Sequence, residues 1–382
     1  MRKIMQLFCL STLIFTLSAC TLTDSKKVTP TETPTPIPTE AVVDKNVKIN
    51  PYDDIRYFAW TDESAVFEET EYNADDIITY TFNEGTVLKG NEELQKQIME
   101  NGKNPGLGVR ALHEAGITGK GVNVAIIDQN LLLNHPEFAG KIAAYYDAGC
   151  DTDPLSGSVH APAVTSLLVG NSIGVAPDAK VYFAAAPSWL GDTKYEADAL
   201  YWIIEQNKGL PENEKIRVVS VSAAPSGPGT PRTQNQHMWD EAVLAAQNEG
   251  MLVLDCRLDS KTGIIGTAFY DPVNPDDVTL CLAGYPTSPE ITPSDWVGVP
   301  TSYRTVAEEY TEGSPSYQYT GQGGRSWAIP YAAGVLALGW QVNPNLDNEQ
   351  IINILFESCF INKDGCKIIN PPAFIEAVEK TK

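Results

Sequence analysis

The chain has 382 residues, of which 43% are hydrophobic and 20% charged, and 49 acidic against 27 basic residues give a formal net charge of −22. That apolar share is enough for a packed core and too small for a polytopic membrane protein. So acidic a chain is a poor partner for polyanions, which argues against DNA, RNA and anionic lipid surfaces as ligands. Seven cysteines are too few for a disulfide scaffold of this length.

Met1-Arg2-Lys3 is a short basic start, followed by the apolar run Ile4 to Leu17. This run is too short to span a bilayer and fits the core of a signal peptide. It ends in Leu17-Ser18-Ala19-Cys20. Small residues before a cysteine resemble the bacterial lipobox, in which the cysteine becomes the first mature residue and carries a diacylglyceryl group. Two or more acyl chains anchor stably where one is marginal. Removal of residues 1–19 takes away Arg2 and Lys3 and no acid, so −22 becomes −24. Residues 21–50 set Pro30, Pro34, Pro36 and Pro38 among Thr and Glu. Such a segment has no core to bury and favours an extended polyproline II tether, at about 3 Å per residue a reach of roughly 90 Å.

Residues 51–104 form an acidic segment with one strand-like piece, Ile78 to Phe82, and one helix-like piece, Glu92 to Glu100. From residue 105 the pattern changes. Val122–Ile127, Lys180–Ala185, Arg217–Val221, Met251–Leu254 and Val278–Ala283 are short apolar runs rich in β-branched residues. Ala161–Val169, Glu196–Gln206 and Gln236–Asn248 read as helices between them. Strands alternating with helices predict an α/β fold whose central sheet is mostly parallel, with helices on both faces. Ser326 to Val342 is the longest apolar stretch, interrupted by Pro330 and Gly334. A helix starting near Ser326 takes Pro330 into its first turn, and Ala332, Ala333 and Gly334 let it pack closely on its neighbours. After cleavage and lipidation Cys150, Cys256, Cys281, Cys359 and Cys366 remain, an odd number, with Cys359 and Cys366 close enough to bridge a small loop.

Only four histidines exist, His113, His135, His160 and His237, so a serine nucleophile must draw its base from these. Asp128 ends the first apolar run, His160 opens a helical stretch and Ser326 opens the small-residue helix. The order Asp, His, Ser is one of the known triad orders. Gly324, Ser326, Ala328, Pro330 and Gly334 match Gly-Thr-Ser-Met-Ala-x-Pro-x-x-x-Gly. His160 and Val164 match His-Gly-Thr-His-Val-Ala. His135-Pro136-Glu137 and Gly174-Val175-Ala176-Pro177 add two further pieces in the right order. On these residues, over roughly 106–360, the chain resembles the subtilisin-like serine peptidases.

The resemblance implies a three-layer subtilisin-like domain at 105–382 and peptide or protein substrates. It implies Ser326 as nucleophile, His160 as general base and Asp128 as the group orienting His160. It makes Ser222-Ala223-Ala224 the strand that pairs with substrate backbone, and His135 a structural turn residue. His113 and His237 carry no motif and read as solvated. The segment 51–104 is short for the family's propeptide and is expected to pack on the peptidase domain.

The family pattern also breaks. Gln129-Asn130 follow Asp128 where Ser or Thr and then Gly are usual, Ala163 replaces the second motif histidine, and Arg325 and Trp327 flank Ser326. Ungapped counting puts Asp259 where the family's asparagine donates to the oxyanion. There burial favours a protonated donor and a nearby Arg257 or Arg325 an ionised, repelling one. Asp147, Asp151 and Asp153 leave Ca²⁺ open as a metal; there is no zinc spacing or phosphate loop. The expected protein is thus a lipid-anchored extracytoplasmic serine endopeptidase, with a peptide-binding pseudopeptidase as the alternative. A solute-binding lipoprotein would need two similar lobes, and the chain has elements for one sheet.

Overall fold

The computed structural model describes residues 48–58, 64–150, 157–257, 265–284 and 296–382. Cys20 and Asp259 lie outside the described residues, as do Asp151 and Asp153. In chain order the central elements are strand β1 (Asn123–Asp128), β2 (Ile142–Asp147), helix α1 (Ala161–Val169), β3 (Lys180–Ala185), α2 (Lys194–Gly209), β4 (Ile216–Val221), α3 (Gln236–Asn248) and β5 (Leu252–Asp255). Helix α4 is Arg325–Val342, and besides the central sheet the described residues form a second five-stranded, a three-stranded and a two-stranded sheet, with strands Phe360–Ile361 and Lys367–Ile368 of the second five-stranded sheet following α4.

The five strands form one sheet in the order β2-β3-β1-β4-β5, every neighbouring pair parallel. Alternation along β1 splits the core in two. Val124 and Ile126 face a cluster that includes Val164 and Leu168 of α1 and Ala328, Ala332 and Leu336 of α4. Ala125 and Ile127 face Leu200 and Ile203 of α2 and Trp239 and Ala242 of α3. A strand buried on both faces needs no polar face, so β1 reads as an unbroken apolar run. This is a three-layer α/β fold, as the alternation of strands and helices predicts.

Two sequence readings are corrected. Ile78 to Phe82 is not a strand: residues Ala74–Thr79 form a 3₁₀ turn, and only Phe82–Asn83 enter a sheet. The Asn73 side chain accepts from the Asp75 N–H at 3.2 Å, a local bond that competes with a sheet ladder. Val278–Leu280 is likewise a 3₁₀ turn, with Asp277 accepting from the Thr279 N–H (2.9 Å) and hydroxyl (2.6 Å). Only Leu282–Ala283 pair, antiparallel to strand Ile265–Phe269. The fifth central strand is instead the edge strand β2, whose residues are half-buried or exposed and whose register slips between Ile142 and Ala144. Its run Ile142–Tyr146 is apolar and aromatic but is not one of the predicted strands.

The acidic N-terminal segment joins the rest through main-chain pairing. Phe82 and Asn83 pair antiparallel with Tyr319 and Gln318 of strand Ser316–Thr320, which also pairs with Arg304–Glu308. Phe82 and Tyr319 stack at 5.1 Å within a cluster holding Ile77, Tyr80, Leu88 and Ile98. The described residues of 48–104 therefore add a strand, Phe82–Asn83, and most of an apolar cluster shared with Tyr319 to the unit Asn46–Lys382.

Helix α4 runs through the core, buried from Ala328 to Trp340. A Cβ at Gly334 would sit 2.6 Å from Val175 Cβ, so this close approach needs glycine. Pro330 lies beyond the first turn, since α4 begins at Arg325. It has no N–H for the Ser326 carbonyl four residues back. The Ser222 hydroxyl donates to that carbonyl instead, at 2.8 Å. Cys359 and Cys366 are free thiols; the Cys359 thiol donates to the Leu355 carbonyl at 3.2 Å.

Candidate active site

Asp128 is the last residue of β1, at the carboxyl end of the sheet, where open α/β sheets place their sites. His160 is the N-cap of α1. The Ala161 N–H is capped by the Ser158 hydroxyl at 3.0 Å, which leaves the His160 ring free of capping duty. His160 Nδ1 stands 2.9 Å from both Asp128 oxygens, with 27% of the His160 side chain exposed against 4% for Asp128. The Gln129 N–H donates to Asp128 Oδ1 at 2.8 Å and steadies the carboxylate. Burial by itself lowers the His160 pKa; the charge and hydrogen bond of Asp128 outweigh it and hold the imidazolium above its ordinary value.

Ser326 is the second residue of α4. Its hydroxyl donates to the Ser222 carbonyl at 3.1 Å while the Ser222 hydroxyl returns a bond to the Ser326 carbonyl. A reciprocal pair thus fastens the head of α4 to the end of β4. No hydrogen bond from Ser326 to His160 occurs among the described residues. Trp327 meets the His160 ring edge-on, centroids 5.6 Å apart.

Ser222, Ala223 and Ala224 line a cleft of about 230 Å³ together with Asp128 and His160. The Ala223 carbonyl accepts from the Cys256 N–H (2.8 Å), and the Ala224 carbonyl from the Thr230 hydroxyl (2.6 Å). The other histidines separate clearly. His135 is fully buried, accepting the Glu137 N–H at Nδ1 (3.1 Å), so that Nε2–H donates to the Ser316 carbonyl (3.0 Å). His237 is exposed. His113 is not solvated as its sequence context implies. It is half-buried, its Nε2 is 2.8 Å from the Val175 carbonyl, and burial lowers its pKa.

Three features of the site escape a linear reading. The Asp255 carboxylate that ends β5 is fully buried, where it takes Trp239 Nε1 (3.1 Å) and Arg257 Nε (2.8 Å). Arg257 also reaches Asp240 and the Ser226 hydroxyl. Its guanidinium is therefore committed to Asp255 and Asp240. Arg325 gathers the carbonyls of Cys256, Arg257 and Ile265, tying together the chain on either side of residues 258–264. The Cys256 thiol lies beside the Ser326 hydroxyl. Burial pushes it up to about 12 despite Arg325 and Ser326, so it is a neutral thiol and no competing nucleophile. For Ca²⁺, Asp147 is already engaged by the Gly149 and Cys150 N–H groups (2.8 and 2.6 Å). Among the described residues no group of three or more acidic, His or Cys side chains converges on a metal position.

The profile of the subtilase family matches residues 119–256, a span that contains Asp128 and His160 and stops short of Ser326. Subtilisin NAT of Bacillus subtilis subsp. natto is 27% identical over 256 residues, 63% of this chain and 61% of that protein. M-protease of Shouchella clausii is 27% identical over 259 residues, 64% of this chain and 60% of that protein. The chain thus spans about three fifths of the length of these relatives. Fervidolysin from Fervidobacterium pennivorans, a keratinolytic enzyme related to subtilisin, superposes with a TM-score of 0.52 at 18% identity, over 73% of this chain and 47% of that one. A chain of the subtilase cytotoxin assembly gives 0.53 at 14% identity, over 72% and 96%. The fold is therefore subtilisin-like, and the chain is similar in sequence to the subtilisin-like serine peptidases.

Proposed function

We propose that the chain is a serine endopeptidase acting through Asp128, His160 and Ser326, held outside the cell by a lipid on Cys20. The supporting observation is the pair of 2.9 Å contacts from His160 Nδ1 to Asp128, made beside a cleft whose wall, Ser222, also binds Ser326. In this reading Asp128 fixes the tautomer that leaves His160 Nε2 as acceptor. Ser326 Oγ turns from the Ser222 carbonyl toward Nε2, loses its proton there and attacks the peptide carbonyl. His160 then gives that proton to the leaving amine, and water releases the acyl group by the same route. The head of α4 favours the negative oxygen that develops, since backbone N–H groups point out of it. A fluorophosphonate probe that fails to label the wild-type protein at Ser326 would refute the proposal.

A pseudopeptidase remains the second reading, favoured by the Ser326 hydroxyl bonding Ser222 and by an acid at position 259. Asp259 bears on the choice. If it faces the oxyanion, Asp259→Asn supplies a neutral donor of the kind typically worth about 10²–10³ in turnover, and kcat at neutral pH should rise. An Asn variant no faster than wild type between about pH 5 and 9 would remove Asp259 from the oxyanion position. The anchor has its own test: Cys20→Ala should release the protein from membranes or block its processing, and unchanged retention and mass would remove the lipid.

A further inference from the structure

The N-terminal segment touches the loop that carries Ser326. Strand Ser316–Thr320 runs into Gly321-Gln322-Gly323-Gly324, and α4 begins at the next residue, Arg325. The Gly321 N–H donates to the Tyr80 carbonyl at 3.1 Å. A Cβ at Gly321 would lie 1.9 Å from the Thr79 carbonyl oxygen, so the two backbones are in contact and only glycine fits there. The Tyr319 hydroxyl adds a bond to the Ile78 carbonyl at 2.8 Å. Gly323 is as tightly placed, since its Cβ would lie 2.0 Å from the Thr301 carbonyl oxygen. The loop before the nucleophile candidate is therefore seated on the end of the 3₁₀ turn Ala74–Thr79 and on Thr301. The connection between the segment and the peptidase domain is itself closed in. Gly102 and residues 105–107 are buried. The Gly102 carbonyl accepts the Thr305 N–H (2.9 Å), and the Leu107 N–H donates to the Pro275 carbonyl (2.9 Å). Asp276 takes the Gly108 N–H (2.9 Å) and the Asn104 side chain (3.2 Å). No described residue of 48–104 lines the cleft beside Asp128 and His160.

We propose that residues 48–104 are a permanent part of the catalytic unit: they stay in one chain with residues 105–382 in the mature protein, and Thr79 and Tyr80 act as positioning residues for Ser326 through Gly321. The inference rests on the peptidase reading only for calling Ser326 a nucleophile. Removal of the segment would undo buried bonds that nothing else on the peptidase domain replaces. Phe82 and Asn83 cover one edge of strand Ser316–Thr320 and the buried Tyr319. Asn83 Nδ2 donates to the buried Glu308 carboxylate at 3.0 Å. Without the segment the Thr305 and Gly321 N–H groups lose their acceptors and Glu308 loses a donor, and a buried polar group left unpaired carries its full desolvation cost. The loop would then be fastened at Gly323 alone, and the head of α4 would lose its fixed place.

The test uses the full chain and its Gly321→Ala variant. The intact mass of the mature wild-type protein should contain residues 48–104; a mature chain without Phe82 and Asn83 overturns the proposal. Hydrogen exchange at the Gly321 amide, read by mass spectrometry on overlapping peptides, should be as slow as in strand Ser316–Thr320. Exchange at the rate of an unstructured chain overturns the contact. Neither measurement needs a variant, so both stand if Gly321→Ala does not fold. In the variant the added methyl has to move the loop. A misplacement of about 1 Å costs about 10²-fold in rate, so fluorophosphonate labelling of Ser326 and kcat on a peptide should each fall by about that factor. KM should change little, because the cleft wall Ser222–Ala224 does not touch the segment, whereas a merely loosened fold would weaken binding as well. A variant that is folded in its thermal melt and labels at the wild-type rate overturns the positioning role. A wild-type protein that is not labelled loses the peptidase reading, and mass and exchange then judge by themselves whether the segment stays and holds the loop.

Discussion

Ser326→Ala is expected to abolish fluorophosphonate labelling and to lower kcat on a peptide substrate by about 10⁶, the scale of single triad losses in a subtilisin. His160→Ala should cost nearly as much, and the double variant little more. The non-additivity is the informative part. The two residues come from different elements, the N-cap of α1 and the head of α4, and in the proposed triad they act as one unit. His135→Ala is the control. That ring is buried and spends both nitrogens on backbone groups, so its loss should lower thermal stability and leave turnover largely intact. Additive losses from Ser326 and His160, or a dead His135→Ala variant that is folded, would overturn the assignment.

Asp128→Asn is the second large effect, with kcat expected to fall by about 10⁴ at neutral pH, as when this member of a chymotrypsin-type triad is changed. The variant keeps the shape of the side chain and loses its charge. Its pH profile carries the stronger test. His160 acts as base only when neutral, so activity rises with pH through its pKa. Burial pushes that pKa down and Asp128 overcomes it, so the wild-type acid limb should have its midpoint above the ordinary imidazole value of about 6.5. Removing the Asp128 charge leaves burial alone, and the midpoint should move below that value. Stability follows the same sign. The raised folded-state pKa contributes stability that is fully present below the unfolded pKa and is lost as pH rises through the folded value. Asp128→Asn should remove that contribution at acid pH and change little above the folded pKa. A profile whose acid limb does not move would separate His160 titration from Asp128.

Residues near one another in the chain were the legible ones. Helices α1 and α3 begin and end where the periodicity of Ala161–Val169 and Gln236–Asn248 places them, and β3 spans the apolar run Lys180–Ala185. The Asp128, His160 and Ser326 motifs could be read because each is a short pattern at an element's end. Strand β2 was missed although Ile142–Tyr146 is a continuous run of apolar and aromatic residues, because periodicity alone does not tell so short a run from a helical segment. His113 was misread for another reason: the Val175 carbonyl that half-buries it is 62 residues away.

By itself the sequence determined most of the local elements and the order of the candidate site residues, since helix periodicity, β-branched runs and short motifs are written within some ten residues. Only the tertiary structure decided which distant groups meet. The strand order β2-β3-β1-β4-β5 brings Ser222 against Ser326, 104 residues on, and Pro330 leaves the Ser326 carbonyl open to receive it. The same packing joins Arg232 to Glu196 across 36 residues and lays Cys256 beside the nucleophile candidate. It also commits Arg257 to Asp240, 17 residues away. These pairings have no local signature. A buried charge accepts whatever partner the packed layers bring within hydrogen-bonding distance, and the layers are set by the burial of both faces of the sheet.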